Sequence, residues 1–297
     1  MYPVAPEVLT LKTNLAESPT SVALKDGRVT SKLVTLDLCG PKQAMQGFKP
    51  MLRENAFDIG ELAIITYLQA KMYNKPYVML PFAVNGQAHH NAMGYNKEFD
   101  VLTPKDLEGK KVGVRSYAQT TGLWFRGILT REHGVDLSKI TWLTTGGSHL
   151  AEFKDPANCQ VIPPDSNLGD MLLNGEIAAG LLGKDLPADP RIELIIPNAK
   201  EAAAAWVKRE GLIPINHVFV VHKDLSKQRP DLVREIYRML VESRNLASES
   251  VLAGLPPYGF NAIRKTLEMA IDMALEQKLI DRRFTPEELF DETTITL

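Results

Sequence analysis

The chain has 297 residues, 44% of them hydrophobic and 24% charged, so it can bury a full core without disulfides or metals and is long enough for two lobes. Its 34 Lys plus Arg against 36 Asp plus Glu leave a formal net charge of -2, which argues against a nucleic-acid partner and confines any anion selectivity to a local site. No stretch approaches the ~20 apolar residues of a membrane span, and neither Cys39 nor Cys159 has the spacing of a zinc site or a disulfide framework, so both are expected as buried free thiols.

Residues 1–6 lack the basic start and apolar run of an export leader, which predicts a cytoplasmic protein, or a periplasmic one if a leader was removed. Residues 8–15 predict a strand, and Ser18-Pro19-Thr20 starts a short helix that ends near Asp26-Gly27. A second strand is expected over 32–38, and residues 41–55 place Ala44, Met45, Phe48, Met51 and Leu52 at helical spacing. Residues 57–62 read as a short strand that turns, at Glu61, into a helix running through Tyr67 and Lys71. Strands follow over 77–84 and 90–96, and Thr103-Pro104-Lys105-Asp106 gives a capped turn ahead of a new strand. Beyond it come a helix over 120–133, a strand over 140–143, a helix over 168–174, strands over 178–182 and 192–196, and a helix to Arg209. A strand over 217–222 and helices over 231–248, 261–276 and 286–290 complete the chain. This alternation predicts mostly parallel sheets covered by helices, with a ligand at the carboxyl ends of the strands. The first set of units is interrupted by a second, and the late strand and helices remain to complete it.

Three segments together resemble the type II periplasmic-binding-protein fold: Asp106-Leu107-Glu108-Gly109-Lys110-Lys111-Val112-Gly113-Val114, Asp170-Met171-Leu172-Leu173-Asn174-Gly175-Glu176-Ile177-Ala178-Ala179, and residues 217–225 followed by Pro230-Asp231-Leu232-Val233. Within that fold the chain resembles the 4,5-dihydroxyphthalate decarboxylase family through Asp26-Gly27-Arg28-Val29, Phe57-Asp58-Ile59-Gly60-Glu61-Leu62 with Tyr67-Leu68, and Val114 through Tyr117, Thr120, Trp124, Arg126-Gly127-Ile128-Leu129 and His133-Gly134-Val135. The resemblance implies an α/β protein of two lobes, each a mixed, mostly parallel sheet flanked by helices, with the ligand cleft between them. Residues 1–92 and 212–297 would form the first lobe and 93–211 the second, joined by crossing strands at 89–96 and 216–222. It also implies a cofactor-independent decarboxylase of a hydroxylated aromatic carboxylate, a requirement for a divalent metal being left open. The alternative from another class is a solute-binding protein that hands a small organic anion to an ABC transporter. The family tends to carry an arginine and a histidine together after the third strand; here the matching stretch reads Gln87-Ala88-His89-His90-Asn91, where His90 stands for the histidine and no arginine precedes it.

On this scheme His89, His90 and His217 open the crossing strands and reach the floor of the cleft. An imidazole near its unperturbed pKa of ~6.5 can pair with a carboxylate, move a proton or hold a metal; the alternative for each ring is a backbone hydrogen bond across the hinge. Residues 115–122 lie between a strand and a helix, so free backbone N–H groups, the hydroxyls of Thr120 and Thr121 and the Arg115 guanidinium can converge on a carboxylate, with Tyr117 in the same loop. Trp124, one helical turn on, reads either as a stacking surface or as core. Glu61 is a candidate proton donor or, alternatively, a helix amino-terminal acid stabilised by the dipole. Asn14, Ser18 and Thr20 offer an amide and hydroxyls toward the same cleft. The expected roles are therefore His90 or Glu61 for proton transfer, His217 and Asn14 for ligand hydroxyls, and Arg115 with Thr120 and Thr121 for a carboxylate, while His89, Ser18, Thr20, Tyr117 and Trp124 complete the binding set. No metal-ligand set is expected. Gly146-Gly147-Ser148-His149 reads as a flexible turn, and the absence of GxSxG, Walker, Rossmann and HExxH patterns removes most hydrolase, phosphate-transfer and nicotinamide readings.

Overall fold

A computed structural model describes residues 8–297, so the leader reading at residues 1–6 lies outside the described residues. Among those residues the strands, in chain order, are β1 (Leu9–Asn14), β2 (Val34–Asp37), β3 (Ile59–Ala63), β4 (Tyr77–Gly86), β5 (Met93–Asn96), β6 (Lys111–Val114), β7 (Thr141–Thr144), β8 (Cys159–Val161), β9 (Ala179–Leu181), β10 (Ile192–Leu194) and β11 (Ile215–His222). The α-helices are α1 (Val22–Lys25), α2 (Phe48–Glu54), α3 (Ile64–Met72), α4 (Thr120–His133), α5 (Leu168–Leu173), α6 (Ala199–Glu210), α7 (Lys223–Gln228), α8 (Pro230–Asn245), α9 (Glu249–Leu252) and α10 (Phe260–Glu276).

The strands form two sheets. One has the order β2-β1-β3-β11-β4 and the other β10-β5-β9-β6-β7-β8, so the chain leaves the first sheet after β4, builds the second, and returns as β11. In the first sheet β1 pairs in parallel with β2 and β3, and β11 runs antiparallel between β3 and β4. In the second, β9, β6, β7 and β8 are parallel, β5 runs against them, and β10, antiparallel to β5, runs in their direction again. The two-lobed α/β expectation is borne out. β4 is an edge strand, which explains why it tolerates Pro81: the missing N–H would face no partner on the open side, and there the Pro81 carbonyl accepts from Gly259 N–H at 2.7 Å.

The buried core spans both sheets, with Ala83 and Val218 from the first and Val112 and Leu181 from the second in one apolar cluster. A second cluster packs Ile59, Phe219 and Val221 beneath Leu232, Val233 and Ile236 of α8. Alternation along a strand explains the division: neighbours such as Val218 and Phe219 point to opposite faces of the sheet and enter different clusters.

Several expectations change. Residues 41–55 are not one helix: a 3₁₀ turn at Ala44–Gly47 precedes α2, and Asn55 closes α2 in the left-handed conformation. Glu61 lies inside β3 rather than opening a helix, because the strand continues to Ala63 to complete its ladder with β11. The strand expected from residue 90 begins at Met93, which leaves His89 and His90 in the connector between the sheets. β8, α7 and α9 were not expected at all. Cys39 is exposed and Cys159 half-buried, since one follows the edge strand β2 and the other sits on the edge strand β8; both are free thiols.

Candidate functional site

The register of β3 and β11 builds the centre of the site. Phe219 stands opposite Glu61, so His217, two residues earlier on β11, is the diagonal neighbour of Glu61 on the same face. Glu61 Oε2 lies 2.8 Å from His217 Nδ1, and Oε1 accepts the Ala16 N–H at 2.7 Å. The carboxylate is 1% exposed, and burying it is tolerable because both oxygens are engaged. An ionised carboxylate can only accept, so with Glu61 charged Nδ1 is the donor and Nε2 is left as the acid–base atom of the ring. The His217 side chain keeps 21% of its surface accessible, and its ring makes no other hydrogen bond among the described residues.

A second histidine reaches this group from the other lobe. Phe48, the first residue of α2, makes edge contacts with both His217 and His149, at 5.4 and 5.2 Å between centroids. His149 lies on the loop after β7, and its Nδ1 is 2.9 Å from Thr66 Oγ1 of α3. Burial, reinforced by the charges of Lys49, Arg115, His217 and Arg53, pushes the His149 imidazole down to about 4. Arg53 donates to the carbonyls of His149 and Ser148 at 2.9 and 3.2 Å, and Arg115 touches Met45 Sδ at 3.7 Å. Among the described residues Lys49, Arg53 and Arg115 have no carboxylate partner, whereas most other arginines of the chain are paired, as Arg131, Arg191, Arg209 and Arg238 are. Three uncompensated cations around one half-buried ring favour an anion there.

The other expected residues fall in several places. Asn14 is buried at the end of β1, where Gly40, Gly47 and Gly60 enclose it so closely that a Cβ on any of them would come within 2.7, 2.5 and 2.5 Å of its atoms. Its Nδ2 donates to the Ala44 carbonyl at 3.1 Å, and Oδ1 is buried without a partner. Ser18 Oγ lies 3.0 Å from both Thr20 Oγ1 and Ser21 Oγ, so these hydroxyls serve first to fix the turn before α1. Thr120 and Thr121 open α4, whose amino terminus no side chain caps, and the Thr120 hydroxyl is buried and unpartnered. Tyr117 lies under the Arg126 guanidinium, 3.9 Å from its ring centre. Trp124 is core: it is 1% exposed and its Nε1–H donates to the Ile215 carbonyl at 2.9 Å.

His89 is buried in the connector, bonded through Nε2 to Asn216 Oδ1 at 2.7 Å and driven down to about 4 by that burial. His90 is not brought to Glu61. Its ring packs on Trp206 at 6.1 Å, both nitrogens are buried without partners, and burial lowers its affinity for a proton, the charges it feels being those of Glu132, His133 and Arg209. Cavities of about 440 and 470 Å³ open beside Trp206 and Met273 and beside Asn158 and Gln277, but neither includes Glu61, His217 or His149. Among the described residues no group of three or more His, Cys, Asp or Glu could hold a metal ion, and no helix is long and apolar enough to cross a membrane.

No family model matches the chain. It is 27% identical over 210 residues to a 4,5-dihydroxyphthalate decarboxylase of Comamonas testosteroni, a match covering 64% of this chain and 62% of that protein. A protein of the same name from Pseudomonas putida is 27% identical over 169 residues, covering 52% and 65%. The chain thus matches less than two thirds of the length of either curated relative. Among solved structures, the alkanesulfonate-binding protein SsuA from Xanthomonas axonopodis pv. citri bound to MOPS superposes with a TM-score of 0.59 at 14% identity, over 97% of this chain and 99% of that one. The fold is that of the periplasmic binding proteins. The desulfurization enzyme DSZB has it too, with a TM-score of 0.51 at 14% identity over 96% and 97%, so the fold carries both binding proteins and enzymes. The resemblance to 4,5-dihydroxyphthalate decarboxylases read from the sequence is borne out by both curated relatives.

Sequence reasoning missed Phe48, Lys49, Arg53, Thr66 and His149. Lys49 and Arg53 are four apart on α2 and share a helix face, a legible cationic stripe. The signal for His149 was its position just past the carboxyl end of the parallel strand β7, where ligand loops of α/β sheets gather.

Proposed function

We propose that this protein is a cofactor-independent decarboxylase of a hydroxylated aromatic dicarboxylate of the 4,5-dihydroxyphthalate type. The observation that carries the reading is a Glu61–His217 pair, its carboxylate buried and its imidazole partly accessible, beside three cations with no carboxylate partner among the described residues. The cations, Arg115 above all, hold the substrate carboxylates, with the Thr120 and Thr121 amides at the start of α4 assisting. His217 Nε2 gives a proton to the ring carbon that bears the leaving carboxylate. A ring hydroxyl para to that carbon delocalises the positive charge; the carbon–carboxylate bond then breaks, its electron pair restores the aromatic ring, and CO2 departs. Each turnover consumes one proton and yields 3,4-dihydroxybenzoate and CO2. Glu61 balances the charge on His217 and fixes its ring. Asn14 and the turn at Ser18 and Thr20 line the same end of β1, and His89 with Tyr117 and Trp124 supports the connector and loop around it. The lobes, taken as residues 1–92 with 212–297 and residues 93–211, close over the ligand to exclude water, and the enzyme works in the cytoplasm.

The test is incubation of the purified protein with 4,5-dihydroxyphthalate, followed by proton NMR and CO2 release. The single aromatic resonance of the substrate should give way to the three of the product, and Arg115→Met should raise KM about tenfold or more with a smaller effect on kcat. Tight binding without CO2 release would instead support a transport binding protein.

A further inference from the structure

Resting on that reading, we propose that His149 is a ligand-contacting residue of the same site, delivered by the second lobe and locked opposite His217 by Arg53 and Thr66 of the first. The loop that carries it is tied across the cleft by side chains. Arg53 holds the carbonyls of Ser148 and His149, Thr66 holds the His149 ring, Gln69 Oε1 accepts from Ser148 Oγ at 3.0 Å, and Lys75 pairs with Glu152 at 2.6 Å. All four holding residues lie on or just beyond α2 and α3, so one short segment of the second lobe is gripped by one face of the first. Polar contacts of this kind exchange readily with water, and they suit a closure that must open again.

What these contacts hold in place is an imidazole with one nitrogen committed to Thr66 and the other without a hydrogen bond among the described residues. Burial, reinforced by the cations around it, disfavours the charged ring, so it offers a neutral donor or acceptor beside the charges that hold the carboxylates. This division of labour suits a substrate with two kinds of polar group: cations read the carboxylates and the neutral ring reads a phenolic hydroxyl. Phe48, in edge contact with both imidazoles, sets their separation.

The experiment is calorimetric titration of the intact protein with 4,5-dihydroxyphthalate and with phthalate, which lacks the hydroxyls, in parallel with turnover. His149→Asn should weaken binding of the dihydroxy compound about tenfold or more and that of phthalate much less, since only the former has a hydroxyl to lose contact with. Thr66→Val, which frees the ring but leaves it present, should show the same selective loss in smaller measure, and Arg53→Met should weaken both ligands because the loop is no longer latched. His222→Asn, at the cap of α7, should bind both as the unaltered protein does. Equal affinity of His149→Asn and the unaltered protein for the dihydroxy compound would overturn the proposal, as would equal losses for both ligands. Selective binding without CO2 release would uphold the role of His149 while removing the decarboxylase reading, and failure of the unaltered protein to bind either compound would overturn both.

Discussion

Replacing Glu61 by glutamine tests the centre of the mechanism with little change of shape. Glu61 gives one oxygen to the Ala16 N–H and the other to His217 Nδ1, at 2.7 and 2.8 Å. Glutamine has one oxygen. Because the backbone N–H can only donate, the amide oxygen goes to Ala16 and the NH2 group is turned toward His217, where it meets Nδ1. The ring must then surrender its Nδ1 proton, take up the Nε2–H tautomer and accept from the amide. The variant therefore exchanges a charge-assisted hydrogen bond for a neutral one, a loss of about 1 kcal/mol in orientation, and removes the negative charge that stabilises a protonated ring. General acid catalysis contributes ~10²–10⁴ in rate, so kcat should fall about 10³-fold with KM within about threefold, while stability falls by no more than ~2 kcal/mol. Initial rates of CO2 release across substrate concentration, with urea unfolding of the same preparation, separate the two effects. A variant that keeps kcat within about threefold of the parent would refute the assignment of Glu61 and His217 to proton transfer.

Three further outcomes follow from the geometry. His90 is buried with neither nitrogen paired, so His90→Leu should be neutral or stabilising in urea unfolding and leave turnover within about twofold; loss of all activity would return the proton-donor role to His90. His89 is held near 4 in the folded chain against ~6.5 unfolded, so the native state binds fewer protons between those values and stability is lost as pH falls through that window. The loss is of order 3 kcal/mol, and His89→Gln should remove most of it in unfolding curves at pH 7.5 and 4.5; an unchanged acid loss would contradict this. A methyl group on Gly60 would lie 2.5 Å from the Asn14 carbonyl oxygen, a backbone atom that cannot swing away, so Gly60→Ala should destabilise by ~1–3 kcal/mol in urea unfolding, and a shift below about 0.5 kcal/mol would show that β1 and β3 can separate.

How far the sequence carried depends on the range of the signal. α4 appears with the boundaries its periodicity predicts, Thr120–His133, because Gly134 stops it in the left-handed conformation. The interrupted order of βα units likewise led to the two sheets, since hydrophobic runs and turn residues are local. Helix content at 41–55 was overstated because the requirement at Ala44 is long-range: its carbonyl turns to meet the Asn14 amide, thirty residues away, and the segment tightens into a 3₁₀ turn to do so. The site followed the same rule. Glu61 and His217 were each singled out, but their pairing depends on a β3–β11 register that joins residues 156 apart. His90 was favoured over His217 through a motif match, yet one position along a connector decided its environment, with His89 bonded to Asn216 and His90 turned against Trp206. His149 went unrecognised because a glycine-rich loop advertises flexibility, whereas the four side chains that hold the loop lie on or just beyond α2 and α3, far away in sequence.

The fold alone does not decide between capture and catalysis, but the placement of Glu61 bears on it. A cleft that only has to hold a dianion is best lined with cations and N–H donors, and each carboxylate added to it opposes binding by charge repulsion and by the cost of its own burial. Glu61 recovers little of that cost by contacting the ligand, since it is 1% exposed and its hydrogen bonds go to Ala16 and His217. What it can do is alter His217: hold the ring, fix which nitrogen faces outward, and stabilise the ring when it carries a second proton. Those are requirements of an acid that delivers its proton to carbon, where the acceptor is weak and the geometry strict. The physical case for an enzyme therefore rests less on the unpaired cations, which a transport protein would share, than on a buried carboxylate whose hydrogen bonds go to one imidazole and one backbone amide.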